Sequence, residues 1–80
     1  MHTVIHQAEN QRFIIDAQPE AAVLQYVMLN DQEIDFTRTY VPPALRGQGL
    51  AEALVRTGLK WAKQESYSIH ASCWYVAKFL

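Results

Sequence analysis

Val41-Pro42-Pro43-Ala44-Leu45-Arg46-Gly47-Gln48-Gly49-Leu50-Ala51 separates two parts of the chain that follow different periodicities. Proline has no amide proton and restricts the residue before it, so Pro42-Pro43 must end the strand that leads into them. Gly47 and Gly49 lack a Cβ, which frees the backbone between them to turn several N–H groups toward one point. Beyond the loop, apolar side chains recur at Leu50/Ala51, Leu54/Val55, Leu59 and Trp61/Ala62, with Glu52, Arg56, Lys60, Lys63 and Gln64 on the other side. That spacing predicts an amphipathic helix over 50–64 packed on a sheet. Gly58 inside it costs about 1 kcal/mol relative to alanine and points to close approach of a strand.

Upstream the period is two. Val4 to Ala8, Arg12 to Ala17, Ala21 to Leu29 and Glu33 to Val41 read as strands, with turns at Glu9-Asn10-Gln11, Gln18-Pro19-Glu20 and Asn30-Asp31-Gln32. Turns this short favour an antiparallel meander. The third strand is apolar at nearly every position, which predicts cover on both faces. Alternation in the fourth puts Ile34, Phe36, Arg38 and Tyr40 on one face. Downstream, Ser66 to Cys73 returns to period two, with Tyr67, Ile69, Ala71 and Cys73 together, and Trp74 to Leu80 reads as a short closing helix. The expected fold is one compact α+β domain over residues 1–80: a mostly antiparallel sheet, one long helix after the loop and a short C-terminal helix.

Bulk properties exclude several function classes. With 50% hydrophobic and 19% charged residues the chain is globular in composition rather than disordered. Its formal net charge is −1 and its Lys and Arg residues form no run, so no nucleic-acid partner is expected. No apolar stretch approaches the roughly 20 residues of a membrane span. One cysteine cannot form an internal disulfide, and Met1-His2-Thr3-Val4-Ile5-His6 has no basic-then-apolar signal pattern, so a reducing, cytoplasmic setting is expected. His2 and His6 sit in a strand-like segment where their spacing does not converge on a metal, and no metal site is expected. Apolar Trp74, Phe79 and Leu80 near the end of the chain leave a monomer or weak homodimer as the expected state.

The helix after the loop has no Ser, Thr, Asp or Asn at its expected cap, so its first N–H groups have no local side-chain acceptor. A pyrophosphate would satisfy them, aided by the helix dipole. Spacing alone leaves open an ordinary strand-to-helix connection whose amides meet water.

The run from Val41 to Ala51 resembles the acetyl-coenzyme A motif Q/R-x-x-G-x-G/A of the GNAT acetyltransferase superfamily, with Arg46, Gly49 and Ala51 in its fixed positions. The whole chain is similar to the small single-domain GNAT-like proteins, whose cysteine followed by an aromatic is matched by Ser72-Cys73-Trp74-Tyr75-Val76. The resemblance implies that acetyl-coenzyme A or coenzyme A is bound by Val41, Leu45, Arg46, Gly47, Gln48, Gly49, Leu50, Ala51 and Tyr75. It implies an N-acetyltransferase acting on a primary amine, such as a protein lysine, a peptide or a small amine, with Cys73 as the candidate catalytic thiol. The histidine that such proteins carry in the strand before the loop is replaced by Arg38. Arginine stays protonated, so Arg38 enters as a candidate for lowering a thiol pKa or stabilising an oxyanion, not as a base. A coenzyme A-binding module without turnover and a structural interaction domain are the alternatives. His70, an odd number of residues from Cys73 on an extended strand, points away from it.

Overall fold

The computed structural model describes residues 3–18 and 20–80, so the expectations placed on His2 and Pro19 lie outside the described residues. Five strands form one sheet in sequence order: β1 (Val4–Gln7), β2 (Arg12–Ile15), β3 (Ala22–Met28), β4 (Glu33–Tyr40) and β5 (Ser68–Ala71). β1 to β4 are the expected antiparallel meander, and β5 pairs parallel with β4 after the chain has crossed over through α1 (Leu50–Gln64). The closing helix α2 is shorter than expected, Trp74–Ala77. Among the described residues no helix is long and apolar enough to cross a membrane.

Leu54, Val55 and Ala62 of α1 are fully buried against Phe13, Ile15, Leu24, Ile34 and Phe36 of the sheet. Each fully buried large aliphatic contributes roughly 1.5–3 kcal/mol of apolar burial. Gly58 is where helix and sheet come closest: a Cβ built there would lie 2.8 Å from Leu24 Cδ2 and 3.1 Å from Phe36 Cε1. The expected close approach is present, and β3 and β4 are the strands involved.

Two expectations about faces need correction. α1 covers one side of the sheet only, so in β3 Ala22, Leu24 and Tyr26 are buried while Val23 and Gln25 are half-buried and Val27 is exposed. β3 is central in order but not covered twice; its apolar outer residues lie in a face shared with Ile14 and Tyr40.

The second correction concerns β4. Gln25 opposes Arg38 and Tyr26 opposes Phe36, so Thr37 is an extra residue and the pairing is bulged there. A bulge reverses the alternation that follows it. Ile34 and Phe36 face the core, but beyond Thr37 it is Thr39, opposite buried Leu24, that shares their side. Arg38 and Tyr40 stand opposite Gln25 and Val23 on the outer face. Arg38 is exposed, its guanidinium 5.0 Å from the centroid of the Tyr40 ring.

Candidate active site

The bulge also marks the place where the sheet opens. β4 and β5 pair from Glu33↔Ser68 to Phe36↔Ala71 and no further, and the Cys73 N–H closes the ladder on the Phe36 carbonyl at 3.1 Å. β4 continues to Tyr40 while the segment after β5 turns away into α2. A cleft follows between the end of β4 and the Cys73–Tyr75 segment. Asp35 fixes the turn on its far side, accepting the Ser72 N–H at 2.8 Å and the Ser72 hydroxyl at 2.6 Å.

At the floor of the cleft the loop makes a short 3-10 turn over Pro43–Leu45 and then enters α1. Gly47 and Gly49 have φ of +84° and +75°, a region that residues with a Cβ avoid, and no atom lies within 4 Å of where either Cβ would be. Glycine is therefore required here by backbone conformation and not by lack of room. Gly49 caps α1 with no side-chain hydrogen bond, its carbonyl accepting the Ala53 N–H at 3.1 Å. The amides at the start of α1 thus border open space as first-turn donors. Arg46 donates from Nε to the Val41 carbonyl at 2.9 Å, which braces the loop across its own base.

These residues line a cavity of about 250 Å³ formed by Val41, Leu45, Arg46, Gly47, Gly49, Leu50, Ala51, Glu52 and Tyr75. Of the residues that the sequence nominates for coenzyme A, Gln48 alone is not in its wall. Glu52, expected only on the polar side of the helix, is. Its carboxylate is paired with Arg56 Nε at 2.7 Å one helical turn on, an i,i+4 pair visible in the spacing. Val41, Arg46, Ala51 and Tyr75 also line a second cavity of about 450 Å³, together with Thr39, Tyr40, Cys73 and Trp74. The helix-start cradle and the thiol therefore share a wall.

Cys73 is half-buried, with Sγ 3.6 Å from Thr39 Oγ1. Partial burial pushes its thiol pKa up, but hydrogen bonds from the Val76 backbone, the Thr39 side chain and the Tyr75 and Thr39 backbones outweigh it, and the net shift is downward. The structure does not bring Arg38 to this thiol: Arg38 is on the opposite face and outside both cavity walls. His70 is also elsewhere, bonded through Nε2 to Glu33 at 2.9 Å. His6 sits in an aromatic cluster on the core side of β1, stacked on Phe13 and 2.7 Å from the Tyr26 hydroxyl. Tyr67 belongs to that cluster, edge-on to Trp61. Among the described residues no group of three or more His, Cys, Asp or Glu is placed to hold a metal.

The comparisons with known proteins agree on where this geometry belongs. The family described as GCN5-related N-acetyl-transferase matches residues 12–80. This chain is a member of that family. It is 36% identical over 61 residues to Protein NATD1 of Bos taurus, and 30% identical over 79 residues to Protein NATD1 of Mus musculus. The matched region is 76% of this chain and 54% of the bovine protein, and 96% of this chain and 72% of the mouse protein. The chain thus spans just over half the length of the bovine relative. The solution structure of a GCN5-like protein from Staphylococcus aureus superposes with a TM-score of 0.74 at 25% identity, covering 96% of this chain and 76% of that one. In this member of the GCN5-related family, the compact GNAT-like fold carries the long helix on one face of a mixed five-stranded sheet.

Proposed function

We propose that the chain transfers an acetyl group from acetyl-coenzyme A to a primary amine. The observation that carries this reading is the wall shared by the helix-start cradle and the Cys73 cavity, through Val41, Arg46, Ala51 and Tyr75. In this reading the uncapped amides at the start of α1, presented by Gly47 and Gly49, take the pyrophosphate, with the α1 dipole and Arg46 favouring its charge. Beyond the bulge, the edge of β4 that β5 leaves unpaired offers backbone groups to an extended amide chain lying in the cleft. Acetyl-coenzyme A supplies the acetyl group already activated as a thioester.

Cys73 is the group we assign to receive the acetyl: its thiolate attacks the thioester carbonyl, and coenzyme A leaves as its thiolate. The amine then takes the acetyl from Cys73, returning the cysteine thiolate while the amine proton passes to the coenzyme A sulfur. Cys73 lines the cavity, and the donors around its sulfur favour the thiolate, which is the nucleophilic form. A free thiol at the site goes with a reducing, cytoplasmic setting. Arg38, exposed on the outer face, is left with no part in this chemistry.

A second reading rests on a different observation: the wall around Cys73 contains no carboxylate and no histidine to take a proton from an incoming ammonium. In that reading the chain binds coenzyme A and does not turn it over. Calorimetry with acetyl-coenzyme A and coenzyme A, followed by intact-mass and peptide mapping in the presence of a panel of amines, separates the two. Binding with an acetyl increment on Cys73 or on an amine supports the transferase. Binding with neither supports the module, and no binding removes both. Gly49→Asp places a Cβ and a negative charge in the cradle and is expected to abolish binding.

A further inference from the structure

Trp74 is 73% exposed although it follows the thiol directly and lines the same cavity. An indole left in water forgoes a large apolar contribution. Its ring stands nearly perpendicular to that of Tyr75, with centroids 5.9 Å apart and an interplanar angle of 87°, so the two faces form a corner. Lys78 Nζ lies against both, 5.3 Å from the Trp74 centroid and 5.2 Å from the Tyr75 centroid. Both distances are within the ~6 Å reach of a cation–π contact. Among the described residues Lys78 has no carboxylate partner, so the ring faces are what attracts its charge.

The cavity beside Cys73 has one cation and no carboxylate in its wall. Arg46, its lined cation, is tied to Val41 on the wall shared with the phosphate cradle, where it favours negative charge. The rest of the wall holds no anion, and it includes Trp74, which lines this cavity and not the cradle, beside Tyr75, which lines both. An alkylammonium entering there meets no carboxylate and can be held by the rings alone.

We infer that the Trp74–Tyr75 corner recognises the alkylammonium group of the acceptor, and that Lys78 occupies it as a built-in competitor until the acceptor displaces it. The assignment to the acceptor rests on the transferase reading above. It selects aliphatic amines, including lysine-type side chains, over aromatic amines and neutral nucleophiles. An intramolecular occupant lowers the apparent affinity of any external cation by the fraction of time it holds the corner. Removing the Lys78 charge should therefore tighten binding of a cation and leave binding of a neutral analogue unchanged.

The test needs no turnover. The chain has two tryptophans, so the Trp74 indole N–H is resolvable by NMR from that of Trp61. The probes are choline and its neutral isostere 3,3-dimethylbutan-1-ol. Choline should move the Trp74 resonance saturably and the isostere should not. Lys78→Ala and Lys78→Gln should each bind choline about threefold tighter, with Lys78→Arg close to the wild type. In Trp74→Leu, read from the Val76 amide, choline binding should be lost. Equal shifts with the isostere, or unchanged choline affinity in both uncharged Lys78 variants, would overturn the inference. The acetylation assay distinguishes its failure from that of the transferase reading. Choline binding at the corner with no amine acetylated removes the transferase and leaves the cation site. Acetylation with an aliphatic-to-aromatic amine preference unmoved by Trp74→Leu removes the corner and leaves the transferase.

Discussion

Thr39 Oγ1 lies 3.6 Å from Cys73 Sγ, a contact between residues 34 positions apart that joins the end of β4 to the start of α2. It exists because the bulge at Thr37 brings Thr39 round to the core side and turns Arg38 out. The group that meets the thiol is thus a neutral hydroxyl, and the guanidinium beside it in sequence stands on the opposite face of the sheet.

Thr39→Val removes that hydroxyl at nearly constant shape. Burial then opposes the thiolate with one fewer compensating hydrogen bond, and the Cys73 pKa rises. The thiolate fraction of the wild type should begin to climb at a lower pH than that of an ordinary free cysteine. In Thr39→Val the rate–pH profile for iodoacetamide alkylation should move to higher pH, with a slower rate near pH 7 where less of the thiol is ionised. Arg38→Gln should leave the profile in place.

The cradle carries a carboxylate of its own. Glu52 lines it and is neutralised by Arg56 at 2.7 Å, with both side chains more than half exposed. Such a pair adds only about 0.3–0.5 kcal/mol to stability, so its substitution should hardly move the melting temperature. Its effect on a bound polyanion is direct. Arg56→Ala leaves Glu52 uncompensated and should weaken coenzyme A binding severalfold, whereas Glu52→Gln should tighten it. Both effects should shrink as salt is raised, because exposed charges are screened within about 10 Å at 0.1 M. Calorimetry at two ionic strengths checks the signs.

The loop and its helix were legible in the sequence because they are consecutive and chemically distinctive: prolines end the strand, glycines supply the positive φ, and the 3.6-residue stripe fixes α1 as Leu50–Gln64. Thr39 and Arg38 were misplaced because one inserted residue reverses a period-two reading. The local signal is that Thr37-Arg38-Thr39 breaks the apolar–polar alternation set by Ile34 and Phe36. The apolar outer face of β3 misled for a different reason: Val23 and Val27 suit a pleated strand whether or not a second layer covers them. The Trp74–Tyr75–Lys78 corner depends on ring orientations within α2, which periodicity does not report.

Gly58 tests how tightly helix and sheet are packed. Alanine at an exposed helix position would stabilise by about 1 kcal/mol. Here the added methyl would meet Leu24 Cδ2 at 2.8 Å and Phe36 Cε1 at 3.1 Å, both fully buried side chains with little room to retreat. Overpacking of this kind costs about 1–3 kcal/mol, so Gly58→Ala should be destabilising on balance, by about 1 kcal/mol. In a domain of this size that lowers the melting temperature by about 4–8 °C. An unchanged or higher value in a thermal melt would show that Leu24 and Phe36 can give way.

His6 supplies the pH dependence. Burial among Phe13, Tyr26 and Trp61 lowers its pKa from 6.5, and burial first, with a contribution from Tyr67, raises that of Tyr26. Both partners of the 2.7 Å contact are thus held neutral. A histidine whose folded pKa is depressed is stabilising above its unfolded value, and that stability is lost as pH falls through the folded value. The melting temperature should therefore drop on acidification from about pH 7 through the range just below 6.5. Glu33, whose pKa is lowered from 4.5 by Asn30 and His70, acts only in the more acidic range. His6→Phe keeps a ring on Phe13 without a titrating nitrogen and should flatten the profile between pH 7 and 5. Persistence of the full drop in that variant would assign it to another group.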